Sequence, residues 1–126
     1  MNREEAIRLL EFHCQPGPSS FVGSLRPFSG LQEGSYQEVM AALRVLAPEF
    51  REKTIDREVI CQLWFICHTS RAWGLDPDGM LQRNKLLNPQ DTAILEQWIR
   101  SISWAVLNLL EGGGIETAFE EPRPGQ

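Results

Sequence analysis

Apolar residues recur with the α-helical period in four segments of the chain. The first two segments, residues 2–14 and 35–47, are apolar on one face only. Asn2 and Ser35 are residue types that cap helix starts, each with a Glu three residues later, and Pro48 cannot continue a helix. These patterns predict two amphipathic helices.

The third and fourth segments are more apolar and predict the inner part of the fold. Residues 57–73 follow the capping residue Asp56 and carry apolar side chains around most of the helix circumference, as in a central helix. Residues 89–111 follow the cap Asn88 and end at three consecutive glycines. Two such helices and two amphipathic ones predict an all-α, single-domain helical bundle spanning residues 1–126.

Two further segments complete the predicted fold. Residues 15–34 are rich in Gly, Pro and Ser but hold five large apolar residues, which a flexible linker would not. We therefore expect an ordered strap packed on the bundle. In the tail, residues 112–126, the alternation of Ile115, Thr117 and Phe119 predicts a short extended segment.

Charge and hydropathy exclude several classes of partner. The net charge is −5 and the basic residues are dispersed, so the chain lacks the basic patch that binds nucleic acid or anionic membranes. Its first ten residues do not have the pattern of a signal or transit peptide. The longest apolar stretch, residues 59–67, is shorter than the ~20 residues that cross a bilayer. We predict a soluble cytoplasmic protein with no nucleic-acid or membrane partner.

The cysteine content indicates a reducing compartment. The chain has three cysteines, Cys14, Cys61 and Cys67, and an odd number cannot form a closed set of disulfides. Cys61 and Cys67 lie on different faces of the predicted third helix and should not bridge each other. We expect reduced, buried thiols.

A polar stretch, residues 68–84, follows the third apolar run and contains a strong turn signal. Gly74 has the position of a left-handed residue that ends a helix, and Gly79 closes a "DPDG" turn in which a positive φ is expected. The stretch does not match a calcium-binding loop, because Met80 and Leu87 stand where acidic ligands are needed. We therefore expect a turn without bound calcium.

The same stretch contains a candidate ligand pocket. His68 and Arg71 can share a helix face, with Asp76 or Asp78 nearby, and a His oriented by a carboxylate beside a Ser or Cys is the outline of a nucleophilic site. The alternative is that His68 and Arg71 interact with the carbonyl groups at their helix end. With Trp73, these residues form a possible pocket for a small ligand, and we predict no catalytic residue.

The two histidines also suggest a metal site, which the spacing argues against. Each lies beside a cysteine, in the pairs His13-Cys14 and Cys67-His68. Adjacent residues of a helix diverge by about 100°, so four such ligands would not converge, and the short ligand spacings of zinc sites are missing. We predict no metal and no cofactor.

Four tryptophans are the remaining unusual feature of the chain. Trp64 and Trp98 lie on apolar stripes and are predicted to be core residues. Trp73 lies at a helix end and Trp104 lies off the main stripe, so each is a candidate for a contact surface or for coverage by the strap. Trp and Arg are favoured in protein interfaces. The predicted interaction surface consists of Arg71, Trp73, Arg100, Trp104 and Leu107.

These expectations favour a non-catalytic module that binds another protein or itself. Trp104 and Leu107 face away from the main stripe of the long last helix, and an apolar patch there would be covered in a homodimer. The alternative function is a small-ligand binder or enzyme with its pocket near His68, Arg71 and Trp73. A deep concavity at those residues would favour the ligand, and an open apolar patch at Trp104 and Leu107 would favour the module.

Overall fold

The computed structural model describes residues 1–120, and the regular secondary structure of this range is helical. Its α-helices are α1 (Arg3–His13), α2 (Glu33–Leu46), α3 (Arg57–Ser70), α4 (Met80–Arg83), α5 (Pro89–Leu110) and α6 (Ile115–Ala118). The described residues contain no strand beyond one isolated bridge between Leu25 and Phe28. The predicted all-α fold is confirmed. None of these helices has the length and apolar character needed to cross a membrane.

Three of the predicted helix starts are confirmed by their capping hydrogen bonds. The Asn2 side chain accepts from the backbone N–H of Glu5 at 2.9 Å, and the Asp56 side chain accepts from Glu58 at 2.9 Å. Asn88 accepts from the N–H of Asp91 at 2.7 Å, directly before Pro89. Each bond satisfies a donor that the first helical turn leaves without an intrahelical partner.

The predicted cap at Ser35 is wrong. Helix α2 begins two residues earlier, at Glu33, and Ser35 is buried within its first turn. The Ser35 hydroxyl donates to the carbonyl oxygen of Ser19 at 2.8 Å, so a tertiary contact with the strap uses the group that the sequence assigned to capping. The helix ends before Pro48, as predicted, and the chain continues as a 3₁₀ turn over Ala47–Arg51.

The two glycines after α3 allow close approach of other atoms and do not have positive φ, which corrects both predictions. The chain leaves α3 through a π-helical turn, Arg71–Leu75. A Cβ on Gly74 would overlap the side chain of Leu95, and φ at Gly79 is −69°. A Cβ on Gly79 would collide with the carbonyl oxygen of Ala72, so backbone packing explains the glycine.

The four long helices form a ring around a shared core. Helix α1 packs on α2 and α3, and α5 packs on the same two helices from the other side. Each contributes fully buried residues, among them Leu10, Leu43, Leu63 and Ile102. The prediction that the third helix is central is wrong, because α3 has an outer face on which Trp64 is 71% exposed.

The strap packs onto this ring, as predicted. Phe21, Val22 and Leu25 are buried, and the Phe21 ring lies 6.1 Å from the ring of Trp98, which is itself only 9% exposed. The N–H of Val22 donates to the carbonyl oxygen of His13 at 3.2 Å. The strap therefore covers one side of α5 and encloses Trp98 in the core.

The start of the tail is helical, and the predicted extended segment is wrong. Helix α6 buries Ala118 against the body, a contact that alternation along the sequence does not anticipate. Arg44 lies over the Phe119 ring at 4.5 Å. Gly112 has φ +83°, the left-handed conformation that ends α5 as predicted. The remainder of the predicted tail, residues 121–126, lies outside the described residues.

Candidate functional site: an apolar cleft between α3 and α5

The outer faces of α3 and α5 form a cleft that holds a cavity of about 320 Å³. Residues near the start of α3 face residues near the end of α5, so the two helices run antiparallel. The lining side chains are almost all apolar. They are Ile60, Leu63, Trp64 and Cys67 from α3, and Ser103, Val106, Leu107 and Leu110 from α5.

The two polar side chains in this lining carry no charge at neutral pH. The Ser103 hydroxyl donates to the carbonyl oxygen of Ile99 at 2.7 Å, within its own helix. Burial raises the pKa of the Cys67 thiol to about 12, so it stays protonated. Leu107 and Leu110 are 50% and 49% exposed. The cleft is therefore an open surface that favours apolar groups.

A second cavity, of about 220 Å³, continues the cleft toward the end of α3. It shares Trp64, Cys67 and Ser103 with the first cavity, and it adds His68 and Arg71 at its far end. The Trp64 and His68 rings are stacked, with centroids 6.2 Å apart and planes 10° apart. The cleft is thus apolar along most of its length and has basic side chains at one end.

The residues of the predicted ligand pocket do not all lie together in the structure. His68 and Arg71 line the cleft, whereas Trp73 is half-buried with the guanidinium of Arg26 at 5.3 Å from its ring centre. Asp76 is exposed in the following turn, where its N–H donates to the carbonyl oxygen of Arg71 at 3.0 Å. The strap therefore covers part of Trp73, the alternative that the sequence left open.

The predicted interaction surface is also only partly brought together. Arg71 and Leu107 lie in the cleft lining. Arg100 and Trp104 are half-buried on α5, outside the residues that line the two cavities. The exposed apolar surface is centred on Trp64, which the sequence analysis assigned to the core.

The central residues of the cleft were missed because an apolar stripe does not reveal whether another element covers it. Ile60, Trp64 and Cys67 are spaced i, i+4 and i+7, which places them on one helix face. Val106 and Leu110 are similarly spaced on α5. This spacing identifies the apolar face in the sequence but not its exposure, because a bundle with α3 at its centre would bury the same face.

The two His-Cys pairs do not meet. The Nδ1 atom of His13 accepts a hydrogen bond from the N–H of Phe21 at 3.0 Å, and the Cys14 thiol donates to the carbonyl oxygen of Gln62 at 3.5 Å. Cys67 and His68 lie in the cleft instead. Over residues 1–120, no three His, Cys, Asp or Glu side chains are grouped as the ligands of a metal ion would be.

The three thiols are free but differ in exposure, and the expectation that all are buried is wrong for Cys61. Burial raises the pKa of Cys14 to about 11 and that of Cys67 to about 12. We expect iodoacetamide at neutral pH to modify Cys61 first, because the other two thiols are shielded and protonated. Peptide mass spectrometry over time measures this order. Modification of Cys67 as fast as Cys61 would contradict the described packing.

Comparison with family models, with curated protein sequences and with solved structures finds no match to this chain.

Proposed function

We propose that this chain is a non-catalytic protein-binding module and that the α3–α5 cleft is its docking surface. The observation that carries the proposal is the exposure of Trp64 beside an uncharged cavity. Exposed apolar patches of this kind mark interaction sites in soluble proteins. Tryptophan is also the residue type most enriched among those that dominate interface energies.

The dimensions of the cleft favour a helical segment as the bound element. The lining positions on α3 and at the start of the following turn extend from Ile60 to Arg71, which spans ~17 Å at 1.5 Å per residue. This length matches about three turns of an amphipathic helix laid into a groove, with apolar side chains every three or four residues. The cavity supplies the depth for one or two such side chains.

The proposal predicts that Trp64 is the main contributor to binding. Displayed libraries of amphipathic helices should yield binders, and Trp64→Glu should weaken them by at least about 30-fold, the loss of a residue worth about 2 kcal/mol. Surface plasmon resonance with immobilised protein measures the change. Leu86→Glu is the matched control, because Leu86 is 48% exposed but lies outside the cleft, and it should bind normally.

Two outcomes would contradict the proposal that the cleft is a docking surface. The first is a set of binders that tolerate Trp64→Glu as well as they tolerate Leu86→Glu. The second is a failure of diverse helix libraries to yield any binder. Circular dichroism of Trp64→Glu checks that the variant is folded, which is expected because Trp64 is exposed.

A second candidate function is binding of a small apolar molecule with an anionic end. The continuity of the two cavities and the position of Arg71 and His68 at one end support it. A cavity of about 320 Å³ lies at the lower end of the range for small-ligand sites. Anilinonaphthalene sulfonate is a suitable probe, since its fluorescence should rise on binding and fall for Arg71→Leu if this function is correct.

A further inference from the structure

We infer that the partner bound in the cleft is a second copy of this chain, related to the first by a two-fold axis along the cleft. The inference rests on the proposed function and names its partner. An isologous contact requires that one surface match itself. The cleft meets this requirement in shape, because the projecting ring of Trp64 lies beside a cavity of about 320 Å³.

Charges at the ends of the cleft meet the same requirement. At the start of α3, Arg57 lies three residues before Ile60, and directly after α3, Arg71 lies four residues after Cys67, so both continue the cleft-facing stripe. On α5, Glu96 lies seven residues before Ser103, and Glu111 lies four residues after Leu107, so both continue the stripe of cleft residues on that helix. The stripe on α3 is therefore bounded by two arginines, and the stripe on α5 by two glutamates.

These four charges are available to a partner. All four side chains are exposed. The ion pairs found among residues 1–120 join Arg3 to Glu49 and Asp56, and His13 to Glu38, and none of them uses the four cleft charges. Within residues 1–120, no ion pair therefore competes with a partner for these four charges.

The charge pattern selects one of the two face-to-face arrangements. With the two-fold axis along the cleft, α3 of one copy lies on α5 of the other, which sets Arg71 opposite Glu96 and Arg57 opposite Glu111. With the axis across the cleft, α3 would lie on α3 and α5 on α5. That arrangement opposes arginine to arginine and glutamate to glutamate, which disfavours it. The first arrangement also directs each Trp64 toward the partner's cleft.

A pair of charge-reversed variants tests this arrangement. Arg57→Glu with Arg71→Glu makes both stripes of one variant acidic, and Glu96→Arg with Glu111→Arg makes both stripes of the other basic. The wild type should be dimeric by analytical ultracentrifugation, and each double variant should have a dimer Kd raised at least about 100-fold by like-charge contacts. An equal mixture of the two variants should form a one-to-one heterodimer, because every contact in it is again attractive.

The variants should remain folded, because all four substituted side chains are exposed. Arg57→Glu and Glu111→Arg also complement the helix dipoles, whereas Arg71→Glu opposes the dipole of α3. Circular dichroism checks this. Arg51→Glu with Lys53→Glu is the matched control, because it changes the charge equally at exposed positions before α3 and should stay dimeric. A variant pair that is monomeric and does not associate when mixed would overturn the arrangement.

Two further results would overturn the inference and differ in what they imply for the proposed function. Double variants that dimerise as well as the wild type would place any dimer contact on another surface. A wild type that is monomeric throughout the concentration range would exclude the second copy as partner. In either case, selected helices that lose affinity for Trp64→Glu would leave the cleft as a docking surface for a different protein.

Discussion

Replacement of Gly23 by alanine should destabilise the protein by at least about 2 kcal/mol, because the backbone leaves no room for a methyl group. A Cβ at this position would lie closer than 3.0 Å to the backbone oxygen and nitrogen of Gly17 and to the hydroxyl of Ser20. That hydroxyl also accepts a hydrogen bond from the N–H of Gly23 at 2.9 Å and donates one to the carbonyl oxygen of Gln15 at 2.6 Å. Relief of the collision would therefore break the hydrogen bonds that hold the strap in shape.

Urea denaturation followed by circular dichroism measures this loss, and a second glycine provides the control. Gly34 lies in the first turn of α2 with open space around its Cβ position. Gly34→Ala should leave stability unchanged or raise it by about 0.5 kcal/mol, because alanine restricts the unfolded chain. If Gly23→Ala were as stable as Gly34→Ala, the strap would not have the described conformation.

Acidification should also destabilise the protein, through the His13 ring at the junction of α1 and the strap. The ring is fully buried, and its Nδ1 accepts the N–H of Phe21 at 3.0 Å. A proton on Nδ1 would remove this acceptor and place a second donor against the first. The Nε2 atom lies 3.3 Å from Glu38 Oε1, near enough for charge attraction but without the geometry of a hydrogen bond.

Burial of the ring lowers the pKa of His13, and the Glu38 carboxylate only partly opposes that shift. A group with a lowered folded-state pKa binds its proton more readily in the unfolded chain. Its stabilising effect is therefore complete above the unfolded-state value of about 6.5 and is lost as the pH falls from there toward the folded-state pKa. Each unit by which the pKa is lowered corresponds to about 1.4 kcal/mol of stability lost.

Urea denaturation between pH 8 and pH 5 measures this loss, on the wild type and on His13→Asn. Asparagine keeps an acceptor near the Nδ1 position but does not titrate, so its stability should depend less on pH, although its absolute stability is lower. Glu38→Gln should steepen the loss, because it removes the carboxylate that favours the protonated ring. If the free energy of unfolding changed equally with pH in the wild type and in His13→Asn, protonation of His13 would not be the cause of the loss.

Local features were the most predictable from the sequence. The starts of α1, α3 and α5 follow from Asn2, Asp56 and Asn88, because a cap bonds to its own helix within a few residues. Ser35 has the same residue type, but its hydroxyl bonds to Ser19, sixteen positions away. A contact at that separation depends on how the strap folds and cannot be read from the spacing of neighbours.

Glycine positions show the same limit. The end of α5 at the three glycines was predicted correctly, because the positive φ that Gly112 adopts there is a property of the local backbone. Gly74 and Gly79 were misinterpreted because the space at each is limited by atoms outside its own turn pattern, the side chain of Leu95 and the carbonyl oxygen of Ala72. A glycine in the sequence can indicate either a turn with positive φ or a site of close packing. The two cases are distinguished only in the folded structure.

Helical periodicity and end capping act over a few residues, so the amphipathic and the strongly apolar helices follow from the sequence alone. Which apolar stripe stays uncovered depends on the packing of the folded chain. Leu63 and Trp64 are adjacent on α3, yet Leu63 is buried in the ring of helices and Trp64 projects into solvent. Burial depends on the elements that pack against each face, and four helices in a ring leave an outer face on each.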